Sequence, residues 1–251
     1  MFKGGQMLFA YDDSAGRALG RLALTALVGL LVGCAAAPHR QTAELLRTQG
    51  VSRMVLMPID VELAHVTAGD LLEPDAAWTQ QAQKNMHAAL VEEARSRKVE
   101  LVDFDPDRGT PEDREMSLAL VKLHRDVGYA ILRHDYLEGF ALPSKKGKFD
   151  WSLGPEAAAI ARSQNADYAM FLFVRDSYAT GGRVLVIALT AVMSLGRIGL
   201  PGGSQVGFAS VVDLKTGNIV WFNRLARGSG DLRTPEAATE SVNALVVDSM
   251  K

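Results

Sequence analysis

Apolar and polar positions alternate along this chain with two periods, and the change from one to the other predicts its elements. "SRMVLMPID", Ser52 to Asp60, is a continuous apolar run of strand length closed by Pro58, and it reads as a buried strand. In "PDAAWTQQAQKNMHAALVEEARSRKV" the residues Trp78, Ala82, Met86, Ala89 and Leu90 fall on one helical face behind Asp75, a natural cap. "VELVDFD", Val99 to Asp105, returns to strand character, which makes a βαβ-like opening.

A second helix is signalled by Thr110 as cap, Pro111 at the first helical position, and Glu112 and Asp113 in the first turn, where the helix dipole favours negative charge. Gly128 weakens its later half. "GPEAAAIARSQ" is a shorter helical piece leading into "ADYAMFLFV", Ala166 to Val174, whose unbroken apolar character fits a strand covered on both faces. "SQVGFASVVDL" and "NIVWFNRLA" are strands joined through Lys215, Thr216 and Gly217, the glycine supplying the positive φ of a tight hairpin turn. Thr234 and Pro235 open a closing helix in which Val242, Leu245, Val246 and Met250 can face a core. These elements give an α/β fold: a single domain with a mixed sheet, packed helices, and a C-terminal β-hairpin plus helix.

Two segments are too apolar for this scheme. From Arg183 to Leu200 only Thr190, Ser194 and Arg197 follow the first residue as polar positions, so a helix here has no proper polar face. Burial inside the core is the first expectation; an oligomer contact through 184–195 and insertion into a membrane are the alternatives. A full span is not expected, because Gly196 and Arg197 shorten the clean run below about 18 residues. The other segment, "RLALTALVGLLVGC", places Arg17 and Arg21 before an apolar run, Leu22 to Gly33, of signal-peptide length. It ends at Cys34, the single cysteine of the 251 residues.

One cysteine rules out an internal disulfide framework and a multi-cysteine zinc site. The net charge of −2 mixes both signs and leaves no basic surface for nucleic acid. Metal chemistry is poorly served as well. Asp103, Asp105 and Asp107 begin like a calcium loop, but Arg108 stands where the turn glycine belongs and Arg114 where the bidentate glutamate belongs. His124 and His134 lie nearly three helical turns apart, His65 and His87 have no ligand-like spacing, and all four are expected at the surface. "PGGSQVG" lacks the endings of a phosphate loop and of a nucleophile elbow. Neither an enzymatic activity nor a cofactor is expected, although an active site assembled from distant residues would escape such a search.

Leu31-Val32-Gly33-Cys34 resembles the lipobox of bacterial lipoproteins. The resemblance implies cleavage before Cys34, a diacylglyceryl group on its sulfur, and a further acyl chain, typically palmitate, on its new amino group. With Ala35 rather than Asp after the cysteine, it also implies the periplasmic face of the outer membrane. Residues 1–33 are then a lipoprotein signal peptide, 34–40 a small-residue tether with one proline, and 41–251 a periplasmic α/β domain. "VGFASVVDLKTGNIVWFNR" is similar to a motif of periplasmic lipoproteins of the curli-secretion and peptidoglycan-synthase-activator type, matching at Val212, Asp213, Thr216, Gly217, Val220 and Trp221. "NADYAMFLFV" and "VLMPID" resemble strands of the same group. Asp213, Thr216, Gly217 and Trp221 form the candidate binding or structural motif, and Cys34 the lipidation site. The resemblance implies a membrane-anchored, non-catalytic accessory or assembly module with an envelope protein as partner; a self-assembling lipoprotein and an enzyme of unknown type are the alternatives. The apolar segment departs from the amphipathic barrel hairpins of the curli channel, which argues against pore formation.

Overall fold

The computed structural model describes residues 40–41, 53–193, 203–228, 230–246 and 249. All of them belong to one compact unit, His39–Lys251. Cys34, Ser194 to Leu200 and Met250 lie outside the described residues.

Among the described residues, eight strands form one mixed sheet: β1 (Arg40–Gln41), β2 (Arg53–Leu56), β3 (Asp60–Val66), β4 (Leu72–Pro74), β5 (Glu100–Asp103), β6 (Tyr168–Ala179), β7 (Gly203–Asp213) and β8 (Ile219–Arg227). Their order is β1-β8-β7-β6-β2-β5, and β3, carrying β4, takes over from β2 along the second half of β6. β2 is parallel to both β5 and β6, whereas β6, β7 and β8 are antiparallel neighbours. Five α-helices accompany the sheet among the described residues: α1 (Ala76–Ser96), α2 (Pro111–Tyr136), α3 (Ala158–Gln164), α4 (Gly181–Met193) and α5 (Pro235–Leu245).

The strand expected over Ser52 to Asp60 is two strands. Leu56 pairs with Met170 and Asp60 with Phe173, so the β2–β3 side holds one residue more than β6 between these pairs. Pro58, which has no N–H to give to the ladder, sits in that excess. β3 then resumes the sheet over residues that the apolar run gave no sign of.

Both faces of β6 are covered, which is why it needs apolar side chains at nearly every position. Met170, Leu172 and Val174 meet Met86, Leu90, Val242 and Leu245 of α1 and α5. Ala169, Phe171 and Phe173 meet Leu120, Ile131 and Ile160 of α2 and α3. Asp75 accepts the Trp78 N–H at 2.8 Å to start α1, and Thr110 and Asp113 form a reciprocal capping box on α2. Gly128 is required rather than merely tolerated: a Cβ there would lie 2.0 Å from the Phe208 ring.

Two expectations fail. His124 is not a surface residue. α2 lays it against the sheet at 1% exposure, with Nε2 2.8 Å from the Ser210 hydroxyl and rings of Phe171 and Phe208 beside it. The apolar segment is not sandwiched in the core either, as far as it is described. α4 leaves β6 through Thr180, whose hydroxyl accepts the Arg183 N–H and bonds the Val66 carbonyl, and then turns only part of its surface to the sheet. Val184, Leu185, Leu189 and Met193 are 55%, 60%, 53% and 84% exposed. Its uniform apolarity hid the fact that the sheet has already filled both faces with α1, α5, α2 and α3.

Candidate functional site

The motif residues Asp213, Thr216 and Gly217 come together in the turn between β7 and β8. Asp213 Oδ1 accepts N–H bonds from Lys215 at 2.8 Å and Thr216 at 3.1 Å, and the Asp213 carbonyl accepts from Gly217 at 2.7 Å. Gly217 adopts φ +75° and lies so close to Gly154 that a Cβ would stand 1.9 Å from its carbonyl oxygen. Its own carbonyl accepts from Leu153 N–H and the Ser152 hydroxyl. Trp221 sits elsewhere, fully buried on the α1–α5 face of the sheet. These four residues therefore close a turn and fill a core; they do not converge on a recess.

A recess is found where β2 and β5 end. In parallel sheets the carboxyl ends of the strands leave a crevice where the chain departs in different directions. Here Pro58 ends β2, Phe104 follows β5, and Gln83 and His87 reach in from α1. The cavity is about 300 Å³ and is lined by Leu56, Met57, Pro58, Ile59 and Phe104 besides the polar pair. His87 Nε2 and Asp103 Oδ1 lie 2.8 Å apart at its mouth. Among the described residues the lining contains no serine, threonine, cysteine or lysine to stand beside the His–Asp pair as a nucleophile. What the arrangement can do is seat an apolar group and hydrogen-bond its polar tip. Asp103 was singled out in sequence only as a possible cation ligand; its pairing with His87 depends on α1 packing beside β5, which no local spacing reveals. Among the described residues no group of three His, Cys, Asp or Glu side chains could hold a metal ion.

A third constellation centres on buried polar side chains. Asp176 of β6 is 2% exposed and accepts hydrogen bonds from the Tyr178 hydroxyl, from Gln205 Nε2 at 2.9 Å and, at 3.4 Å, from Leu232 N–H. Gln205 Oε1 in turn accepts from Ser241 of α5 at 2.8 Å. Burial raises the proton affinity of Asp176 against the opposing effect of these donors, and burial with the neighbouring carboxylate raises that of Tyr178. Nearby, the Arg233 guanidinium stacks between Trp78 and Tyr178 at 4.3 and 4.2 Å and pairs with Asp231 through two contacts of 2.7 Å. The ensemble fastens the start of α5 to the sheet and to α1.

No protein-family model matches this chain, and no curated protein does. Among solved structures it is similar to the PelC dodecamer from Paraburkholderia phytofirmans, with 16% identity, 84% of this chain and 96% of that chain covered, and a TM-score of 0.33. It is also similar to the LpoB C-terminal domain from Salmonella enterica, with 15% identity, coverage of 73% and 87%, and a TM-score of 0.27.

Proposed function

We propose that the chain is a lipoprotein anchored through Cys34 to the periplasmic face of the outer membrane, where its α/β domain serves as a non-catalytic binding or assembly module of the envelope. The observation that carries this reading is the position of the lone cysteine, directly behind Arg17, Arg21 and the apolar run Leu22 to Gly33. Two or more acyl chains at about 0.8 kcal/mol per buried CH₂ hold a domain on a bilayer essentially permanently. Tethering then raises the local concentration of one rigid surface near its partner without any new contact. The cleft at the ends of β2 and β5 is the recess best suited to receive a partner's side chain, because it joins an apolar floor to the His87–Asp103 pair.

Metabolic labelling with a palmitate analogue tests the anchor. The parent incorporates label and Cys34→Ser incorporates none; equal labelling of both would sink the proposal. A second reading, self-assembly through 184–195, is favoured by the exposed side chains of α4.

A further inference from the structure

We infer that the outer edge of β5 docks one extended peptide segment, which pairs with Leu101 and Asp103 through its backbone and delivers a large apolar or aromatic side chain to the neighbouring cleft. This inference rests on the reading of that cleft as a partner site and names the form the partner takes there.

β5 ends the strand order, and among the described residues only β2 pairs with it. The Phe104 N–H donates to the Leu56 carbonyl at 3.0 Å, which fixes the phase of that ladder. Main-chain groups of successive residues point to opposite sides of a strand, so Val102 and Phe104 turn theirs towards β2, while Leu101, Asp103 and Asp105 turn theirs outwards. The outward row is closed at both ends. At one, the Leu101 N–H is used locally on the Val99 carbonyl at 3.1 Å. At the other, the Asp105 N–H donates to Gln164 Oε1 and the Asp105 carbonyl accepts from Gln164 Nε2, both at 3.0 Å. Between these ends, the Leu101 carbonyl and the N–H and carbonyl of Asp103 have no hydrogen-bond partner among the described residues.

The row itself states the chemistry of what completes it. An N–H and a C=O of one residue, side by side on a strand edge, are matched by the C=O and N–H of another extended residue. The buried Gln164 amide of α3 makes that same two-bond pattern with Asp105, so the chain already shows how an amide completes this edge. An open edge of this kind takes up a further strand. The Asp103 side chain lies on the α1 face of the sheet, since its Oδ1 meets His87 Nε2 at 2.8 Å. A residue set opposite Asp103 carries its side chain on the same face, at the mouth of the cleft floored by Leu56, Met57, Pro58, Ile59 and Phe104. That floor is apolar and the cavity is about 300 Å³, so the side chain that fits is bulky and apolar or aromatic. Main-chain bonds hold the segment, and this one side chain selects it.

The test uses the full-length chain in detergent micelles and a panel of capped peptides Thr-Val-X-Val-Thr, with every apolar and aromatic residue in turn at X. Amide hydrogen exchange is read at Asp103 by NMR, together with the ring signals of His87. The inference predicts that peptides with a bulky X slow exchange of the Asp103 N–H at least tenfold, and that twins carrying an N-methyl group on the amide of X do not. Twins that protect Asp103 as well as their parents would overturn it. So would an Asp103 N–H that is already slow before any peptide is added, since the row is then occupied within the chain. His87 signals that move while exchange at Asp103 stays unchanged remove the edge pairing and leave the cleft reading standing; no response at either residue from any peptide removes both.

Discussion

Burial between α2 and the sheet keeps His124 neutral and pushes its pKa down to about 3, whereas an unfolded chain protonates imidazole near 6.5. The unfolded state therefore binds more protons between these values. The contribution of His124 to stability is full above about pH 6.5 and is lost as pH falls through 6.5 towards 3. Asp176, whose proton affinity is raised, acts with the opposite sign, so the comparison has to be with a variant. Urea midpoints measured between pH 7 and about 4.5 should fall for the parent and stay flatter for His124→Gln; parallel slopes would contradict the assignment. At Gly128 the forces compete differently. Alanine gains roughly 1 kcal/mol of helix propensity, but its methyl would enter the Phe208 ring, and overpacking costs about 1–3 kcal/mol. A lowered denaturation midpoint for Gly128→Ala is expected, and a raised one would show that the helix can move away. None of this was legible in sequence: His124 and Gly128 declare their roles only through Ser210, Phe171 and Phe208, which lie far along the chain.

Helix starts were the most legible elements, because caps are local chemistry. Asp75, Thr110 and Thr234 each accept an N–H three residues on, as their sequence contexts require. The β7–β8 hairpin was equally readable from Asp213, Thr216 and Gly217. β3 was hidden, since its residues follow a proline and become a strand only by pairing with the second half of β6. The latch around Asp176 was hidden for the same reason: Asp176, Gln205 and Ser241 belong to three elements. Replacing Gln205 with leucine should strand the Ser241 hydroxyl and remove a donor from Asp176. Each buried polar group left without a partner costs about 1–3 kcal/mol, so calorimetry should show a clear drop in melting temperature; an unchanged value would mean that the network contributes nothing. By contrast, Leu185→Glu together with Leu189→Glu changes exposed positions of α4 and should leave the midpoint within about 0.5 kcal/mol of the parent.

At the scale of the whole molecule, the fold was more legible than any site. The mixed sheet with helices on both faces agrees with the fold class read from the patterning, and the three-layer core explains why Ala169 to Val174 of β6 are apolar without a break. The candidate cleft was not legible, because it is created where β2 stops at Pro58 and α1 brings His87 to Asp103. Its proposed role is open to a simple check: His87→Ala with Asp103→Ala should reduce capture of an envelope partner by the full-length chain while leaving its fold unchanged. The proposed anchor turns on the modification of one side chain, and mass spectrometry of the N-terminal peptide of protein isolated from membranes reads it directly. The prediction is a peptide beginning at Cys34 that carries a diacylglyceryl group and an acylated amino terminus. An unmodified Cys34, or a mature chain beginning at another residue, would contradict it.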